Sequence, residues 1–183
     1  MSEVQKPSAS SPFRGLTLWG RYSLLGLATA LAALILDQAH KSWMIGAYGP
    51  QEGPRFTVTS FFDVVMVWNP GISYGLLPQD STTGRILLMT VSLAAVVALF
   101  IWIGNAANRL IAVSLGLIVG GALGNVADRL VYGKVADFFS FHYAGFYWYV
   151  FNVADVAITA GVVGLVLDWL VSVAGGDGEK GAR

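Results

Sequence analysis

Long uncharged, apolar runs recur along the chain and are separated by shorter polar segments. Because a helix rises about 1.5 Å per residue, roughly 20 apolar residues cross the hydrocarbon core of a bilayer. The first run, Tyr22–Leu36, has 15 residues and reaches 21 if the helix starts at Leu16 and Arg21 extends its charge toward the headgroups. The pattern predicts four membrane spans, at about residues 16–36, 86–104, 110–128 and 151–173.

The composition of the chain supports the interpretation of these runs as membrane spans. Of 183 residues, 55% are hydrophobic and 12% are charged, and the mean hydropathy is +0.63. Soluble domains carry about twice that charged fraction, and a chain of this size has too little interior to bury so much apolar surface. We therefore predict one membrane domain, residues 16–174, between a disordered cytoplasmic tail (1–15) and a second cytoplasmic tail (175–183).

An even number of spans places both termini on one side of the membrane. Three basic residues, Lys6, Arg14 and Arg21, lie ahead of the first uncharged run, which favours a cytoplasmic amino terminus under the positive-inside rule. Residues 37–85 and 129–150 would then lie outside. A cleaved signal peptide is the alternative for the first span, because Ala30-Leu31-Ala32 is similar to a cleavage site. The later spans favour an anchor helix.

The two outer segments have different patterns. Residues 55–68 are rich in β-branched and aromatic residues that partly alternate, which predicts one or two strands. Residues 138–151 contain nine aromatic residues in fourteen, typical of the membrane–water interface. The predicted fold is thus a membrane all-α bundle of four transmembrane helices with a small extracytoplasmic β-sheet and an interfacial aromatic segment.

Several functional classes are disfavoured by what the chain contains. The formal net charge is zero, which argues against a nucleic-acid partner. The sequence has no cysteine, which excludes disulfides, thiol catalysis and thiolate metal sites. The two histidines, His40 and His142, are far apart, so a histidine-rich metal site or a histidine-based triad is not expected.

The acidic residues divide into two groups. Six lie in the tails or the first outer segment and are interpreted as solvated: Glu3, Glu52, Asp63, Asp80, Asp177 and Glu179. Five lie in or at the ends of apolar helices: Asp37, Asp128, Asp137, Asp155 and Asp168. A carboxylate at such a depth costs a few kcal/mol and is a functional candidate. Asp168 has no evident partner and is interpreted as structural or interfacial.

For three of the candidates a structural interpretation competes with a functional one. Asp37 can pair with Lys41, which follows four residues later on the same helix face. Asp128 and Arg129 are interpreted as a structural cluster in which the guanidinium keeps the carboxylate ionised. Asn69 begins a turn rich in proline and glycine and either orients a peptide substrate or is an ordinary loop residue.

Small residues accompany the polar residues of the third span. Gly120, Gly121 and Gly124 have the spacing of one helical stripe together with Asn125 and Asp128. Such a stripe allows another helix or a substrate backbone to approach closely. We expect the polar side chains of this stripe, Asn125 and Asp128, to face the bundle and not the lipid.

Asp137 and Asp155 form the pair that best fits a chemical role. The 18 residues between them can leave and return to one interface, and Asn152 lies three residues before Asp155, on the same helix face. Two carboxylates in a poorly hydrated site share one proton. The ionised one can then activate a water while the protonated one polarises a peptide carbonyl, as in aspartyl proteolysis.

Two other classes remain open from the residues alone. A proton or ion path would also use buried carboxylates, but it would spread polar residues through the midplane of the bilayer. In this sequence they gather at one end of the predicted helices. The second alternative is a non-catalytic lipid-binding or assembly module, which would tolerate Asp→Asn at either position of the pair.

Five short motifs, in order from residue 37 to about residue 173, resemble those of the lipoprotein signal peptidases, the type II signal peptidases of bacteria. They are Asp37-Gln-x-x-Lys41, Asn69-x-Gly71-x-x-Tyr74-Gly75, Gly120-Gly121-x-x-Gly124-Asn125-x-x-Asp128-Arg129, Val135-x-Asp137-Phe138 and Phe151-Asn152-x-Ala154-Asp155. Each is weak alone, but five in order on the predicted spans are specific. The chain departs from the family at Tyr74, where Phe is usual, and at His40, where a small hydroxyl residue is frequent.

The resemblance implies an aspartyl endopeptidase of the bacterial inner membrane. It would remove signal peptides from diacylglyceryl-modified prolipoproteins, cutting before the lipidated cysteine. The family's catalytic aspartates correspond to Asp137 and Asp155. Its substrate-binding and supporting positions correspond to Asp37, Asn69, Gly121, Asn125, Asp128, Arg129, Asn152 and Ala154.

The resemblance also implies the surroundings of the enzyme. Both termini would be cytoplasmic and the active site periplasmic, in contact with membrane lipid. Globomycin-type cyclic peptides would be inhibitors. No metal or organic cofactor and no nucleic acid are implied. We expect a monomer, because one chain supplies both carboxylates.

Overall fold

The computed structural model describes residues 17–71 and 82–180. Within these ranges, four helices are long and apolar enough to cross a membrane. They are α1 (Ser23–Tyr48), α2 (Thr82–Gly104), α3 (Arg109–Val131) and α4 (Val153–Lys180). The predicted bundle of apolar helices is therefore confirmed.

Helices α1 and α4 continue well beyond the carboxyl-terminal ends of their predicted spans. Helix α1 begins at Ser23 rather than Leu16 and continues past Asp37 to Tyr48. It ends where Gly49 adopts a φ of 84°, a backbone conformation that residues with a side chain rarely adopt. Helix α4 continues to Lys180, so part of the predicted carboxyl-terminal tail is helical. The predicted tail 1–15 lies outside the described residues.

Helix α3 lies at the centre of the bundle, in contact with α1, α2 and α4. Gly120 and Gly124 face α1, and a Cβ on Gly120 would collide with the carbonyl oxygen of Ala30. Gly121 faces α4 instead, against the carbonyl oxygen of Ala154. The glycines therefore line two faces of α3, because consecutive helical residues project about 100° apart. The prediction that these glycines share one stripe is wrong, because Gly120 and Gly124 face α1 whereas Gly121 faces α4.

The described residues also form an antiparallel sheet of four strands in the order β1-β2-β3-β4. The strands are β1 (Phe56–Thr59), β2 (Phe62–Asn69), β3 (Val135–Tyr143) and β4 (Phe146–Tyr147). Strands β1 and β2 confirm the prediction for residues 55–68. Strands β3 and β4 occupy most of the segment predicted as interfacial from its aromatic residues, which also suit a pleated, half-buried surface.

The sheet packs on the carboxyl-terminal part of α1. Met44 of this helix joins a buried cluster with Met66 and Trp68 of β2 and Ala136 and Phe138 of β3. Burial of such apolar side chains stabilises the contact by roughly 1.5–3 kcal/mol for each large residue. This packing places β3 beside the end of the bundle that carries the charged residues.

Candidate active site

Asp137 and Asp155 lie on either side of one asparagine. The side-chain amide of Asn152 donates to Oδ1 of Asp137 at 2.6 Å, and its backbone N–H donates to Oδ2 of Asp155 at 3.2 Å. The N–H of Asp155 donates back to Oδ1 of Asn152 at 3.0 Å. This reciprocal arrangement is that of a capping box at the start of α4. The structure thus places the two aspartates in one hydrogen-bonded cluster.

Backbone hydrogen bonds join the two segments that carry the aspartates. The N–H groups of Phe138 and Phe139 donate to the carbonyl oxygen of Phe151 at 3.0 and 2.9 Å. The N–H of Phe151 donates to the carbonyl oxygen of Phe139 at 2.8 Å. These bonds hold the residues just after Asp137 against the residue just before Asn152. Asp137 therefore lies on a strand, whereas the sequence associated it with the end of a helix.

Asn125 of α3 supports Asp155 from a second direction. Its Nδ2 donates to Oδ1 of Asp155 at 3.0 Å. Its Oδ1 accepts from Nδ2 of Asn152 at 3.1 Å and from Nζ of Lys41 at 3.0 Å. The amide orientation of Asn125 is thereby fixed, because two donors converge on its oxygen.

Asn69, at the end of β2, supports Asp137. Its Nδ2 donates to Oδ2 of Asp137 at 3.1 Å, and its Oδ1 accepts from the N–H of Gly71 at 2.9 Å. The carbonyl oxygen of Gly71 accepts from Nη2 of Arg129 at 2.6 Å. The turn is thus tied to both β3 and α3. The remaining residues of this motif, 72–75 with Tyr74 among them, lie outside the described residues.

A buried charge cluster adjoins Asp137 and Asp155, and Asn125 links the two groups. Nζ of Lys41 is 2.9 Å from Oδ2 of both Asp37 and Asp128. Oδ1 of Asp37 accepts from the N–H of Ala154, and Oδ2 of Asp128 accepts from the N–H of Ala136. The predicted pair of Asp37 and Lys41 exists. It fixes the start of α4, and Asp128 fixes the start of β3.

Asp128 lies in a structural charge cluster, as predicted, but its ion-pair partner is Lys41. Among the described residues, Asp128 pairs with Lys41, while Nη1 of Arg129 donates to the carbonyl oxygen of Asn125 at 3.2 Å. Asp128 and Arg129 are neighbours on a helix and therefore point in directions about 100° apart. Gln38 also donates to Oδ1 of Asp128, at 3.0 Å.

The surroundings of Asp137 favour its protonated form. Burial raises the pKa of Asp137, and the nearby charge of Asp155 raises it further. Hydrogen bonds from Asn69 and Asn152 and the charge of Lys41 lower it. The resulting pKa of Asp137 is about 7, compared with an ordinary value of 3.8.

Each aspartate opens onto a small cavity. A cavity of about 180 Å³ reaches Asp137 and another of about 210 Å³ reaches Asp155. Tyr149 lines both cavities. The other lining residues are Val67, Trp68, Asn69, Pro70 and Val150 beside Asp137, and Phe141, Trp148, Phe151, Val156 and Thr159 beside Asp155. The sequence had predicted most of these aromatic residues as an interfacial run and did not show that they line the cavities beside the carboxylates.

Asp63 is not solvated, contrary to the prediction. It is 1% exposed, Nη1 of Arg55 lies 2.9 Å from its Oδ2, and Nε2 of His142 lies 3.2 Å from its Oδ1. Pairing of β2 with β3 brings His142 to Asp63. The interaction links segments distant in the sequence, which local spacing does not reveal.

Asp168 has a partner at the opposite end of the bundle. Nδ2 of Asn108 donates to Oδ1 of Asp168 at 2.7 Å. Oδ1 of Asn108 also accepts from the N–H of Ile111 at 2.9 Å and so caps α3. Asp168 therefore joins α4 to the start of α3, far along both helices from Asp155 and Asn125.

Comparisons with known proteins agree with this architecture. A family model described as signal peptidase (SPase) II matches residues 29–171. A lipoprotein signal peptidase of Methylorubrum extorquens (strain PA1) is 54% identical over 145 residues, which cover 79% of this chain and 85% of that protein. One from Rhodopseudomonas palustris (strain TIE-1) is 49% identical over 151 residues, covering 80% and 92%.

A solved structure of a bacterial membrane enzyme has a similar fold. Its TM-score is 0.69 at 28% identity, and the match covers 86% of this chain and 94% of that chain. The family match includes every residue of the hydrogen-bonded cluster described above.

Proposed function

The chain belongs to the signal peptidase II family, and on this premise we propose that Asp137 and Asp155 are its catalytic pair. Membership of the family makes the protein a multi-pass bacterial membrane protease that removes signal peptides from lipoproteins. The observation that carries the assignment of the two aspartates is their common partner, Asn152, which donates to both carboxylates.

The proposed chemistry uses one proton shared by the pair. With a pKa of about 7, Asp137 holds this proton and donates a hydrogen bond to the oxygen of the scissile carbonyl. Asp155 is ionised and takes a proton from a water molecule as the water oxygen bonds to the carbonyl carbon. The C–N bond then breaks, the proton held by Asp155 passes to the leaving nitrogen, and Asp137 again holds its own proton.

The surrounding residues act as positioning groups in this proposal. Hydrogen bonds from Asn125 and Asn152 fix the orientation of the Asp155 carboxylate. Asn69 orients Asp137, and Arg129 holds the turn that follows Asn69 through the carbonyl oxygen of Gly71. Each amide keeps a carboxylate oriented before substrate arrives, which lowers the cost of reorganisation.

A second group of positioning residues fixes the elements themselves. Lys41, Asp37 and Asp128 hold the first residues of α4 and β3 through the N–H groups of Ala154 and Ala136. Gly121 lets the backbone of Ala154 lie close against α3, since a Cβ there would meet the carbonyl oxygen of Ala154.

The proposed substrate is a diacylglyceryl-modified prolipoprotein, cleaved before its lipidated cysteine. The aromatic cavities beside both aspartates suit an apolar chain that enters from the bilayer. The pair lies at the end of the helices where the sheet packs, so water can reach it from the membrane surface. We place this end at the periplasmic side of the inner membrane, with both termini in the cytoplasm.

Three further parts of the proposal follow from the location of the pair. A globomycin-type cyclic peptide would inhibit by occupying the site at the aspartates. A monomer is sufficient, because both carboxylates come from one chain. Four of the five helix-associated carboxylates, Asp37, Asp128, Asp137 and Asp155, lie together at one end of the bundle, which also supports a peptidase over a proton path across the bilayer.

The proposal is tested by cleavage of a diacylated prolipoprotein by the purified protein in detergent. Asp137→Asn and Asp155→Asn should each lower the rate on the order of 10³-fold or more, while the variants remain folded. Asp168→Asn is the matched control, because Asp168 lies on the same helix as Asp155 but contacts Asn108. Cleavage by folded Asp137→Asn or Asp155→Asn at the rate of the control would overturn the assignment.

A further inference from the structure

A groove of about 750 Å³ lies between α1 and α3, at the end of the bundle opposite the sheet. Helices α1 and α3 both begin at this end, whereas Asp37 and Asp128 lie toward their carboxyl-terminal ends. The groove is lined by Arg21, Tyr22, Leu24, Leu25, Ala28, Arg109 and Val113. It is therefore separate from the site of the aspartates.

Two arginines stand at the edge of an otherwise mainly aliphatic lining. Arg21 precedes α1 and its guanidinium lies 5.3 Å from the ring centroid of Tyr22, while Arg109 is the first residue of α3. Among the described residues, neither arginine forms an ion pair with a carboxylate. Asp168, the acidic residue near the start of α3, is hydrogen-bonded to Asn108.

The position of these charges matches the depth of lipid phosphates. Each arginine lies where a membrane-spanning helix begins, so its charge lies at the boundary between hydrocarbon and headgroups. Arginine presents several N–H donors to a phosphate at once, and basic pockets between membrane helices bind anionic headgroups. The aliphatic side chains below the arginines lie at the depth of acyl chains.

We propose that this groove binds one anionic phospholipid. The phosphate lies between Arg21 and Arg109, and an acyl chain lies along Leu24, Leu25 and Val113 in the groove between α1 and α3. A zwitterionic lipid of the same chain length carries no net charge to complement the two arginines. The bound anionic lipid contacts both helices and therefore stabilises their association.

The test is the thermal unfolding of the full chain, purified in an uncharged detergent and followed by tryptophan fluorescence. Phosphatidylglycerol should raise the Tm more than phosphatidylcholine with identical acyl chains, since a ligand that binds only the folded state stabilises it by mass action. The difference should disappear in Arg21→Gln/Arg109→Gln. It should persist in the control Arg85→Gln, which removes one arginine at the start of α2, at the other end of the bundle.

Three results would overturn the proposal. Equal Tm shifts with both lipids would show that the groove binds acyl chains without selecting an anionic headgroup. A phosphatidylglycerol preference that survives in the double variant would place the lipid elsewhere. An equal shift with glycerol phosphate, which has no acyl chains, would indicate a free-phosphate site.

A second measurement covers the case of a double variant that does not fold. Native mass spectrometry of the unmodified protein should retain one phosphatidylglycerol per chain and release phosphatidylcholine. Arg21→Gln and Arg109→Gln singly should each lower the retained fraction, and no preference in the unmodified protein would contradict the proposal. The rate of lipoprotein cleavage should be unchanged in either single variant, because the groove is remote from Asp137.

Discussion

Asn152 donates its side-chain amide to Oδ1 of Asp137 at 2.6 Å. The same residue caps α4 through its bonds with Asp155. One asparagine therefore sets the orientation of a strand carboxylate and of a helix carboxylate at the same time. The separation and relative orientation of the two aspartates depend on this residue.

Replacement of Asn152 tests that dependence. Asn152→Ala should lower kcat up to about tenfold, because the lost hydrogen bond to the protonated Asp137 is worth about 0.5–1.5 kcal/mol. The bond from Asn152 also lowers the pKa of Asp137, so the loss of activity at high pH should move to higher pH in this variant. Steady-state cleavage measured across a pH series checks both effects. Asn105→Ala, at the opposite end of the bundle, is the control and should change neither, whereas an unshifted profile in Asn152→Ala would count against the role of its amide.

The raised pKa of Asp137 predicts a pH dependence of cleavage. Burial first, and then the charge of Asp155, raise this pKa from 3.8 to about 7, so the carboxyl is protonated below about pH 7 and ionised above it. The rate should fall about tenfold per pH unit above that point, as the shared proton is lost. Initial rates from about pH 5 to about pH 9 measure it, and a rate that is constant or rises across pH 7 would contradict the role of Asp137 as proton donor.

The raised pKa of Asp137 also makes the stability of the fold depend on pH. The folded fraction is therefore the control measurement for the cleavage experiment. The folded state binds this proton more tightly than the unfolded state. The corresponding contribution to stability is complete below about pH 3.8 and is lost as the pH rises through about 7. The folded fraction should therefore be monitored at each pH, so that loss of activity is not confused with unfolding.

Removal of Lys41 should destabilise the bundle. Lys41→Met leaves Asp37 and Asp128 buried without their cation, and breaking a buried ion pair from one side lowers the free energy of unfolding by about 3–5 kcal/mol. Denaturation of the purified protein in detergent measures this loss. Lys134→Met, at an exposed lysine beside Trp68, should change stability by less than about 1 kcal/mol. Similar losses in the two variants would show that burial of the cluster does not matter.

The close contact of α1 with α3 predicts opposite effects of one substitution at two glycines. Gly120→Ala places a Cβ against the carbonyl oxygen of Ala30 and should lower the free energy of unfolding by about 1–3 kcal/mol. Gly46→Ala, on α1 with no heavy atom near the added Cβ, should raise it by up to about 1 kcal/mol, because alanine favours helix. Thermal unfolding compares them, and stabilisation by Gly120→Ala would contradict the described packing.

Much of the fold could be predicted from local pattern. The apolar runs predicted the membrane helices, and the alternation in residues 55–68 predicted β1 and β2. Strands β3 and β4 were missed, because a run of aromatic residues is equally compatible with the membrane interface and with a sheet whose partner strand lies elsewhere in the chain.

The candidate site was predictable as a set of residues but not as a set of contacts. The sequence selected Asp137, Asp155 and Asn152, and the pair of Asp37 with Lys41 followed from helical spacing. The sequence did not reveal that Lys41 also forms an ion pair with Asp128. That contact joins α1 to α3, and nothing in local spacing reports which helix faces meet.

The sequence by itself determined which segments are apolar enough to enter a membrane, because the free energy of transfer depends on the composition of each segment and not on its neighbours. The tertiary structure alone decided the electrostatic environment of each charge. Asp63 is buried between Arg55 and His142, and Asp128 pairs with Lys41 rather than Arg129. Coulomb energies depend on distances in space and on burial, and for residues far apart in the chain both are fixed only when helices and strands pack.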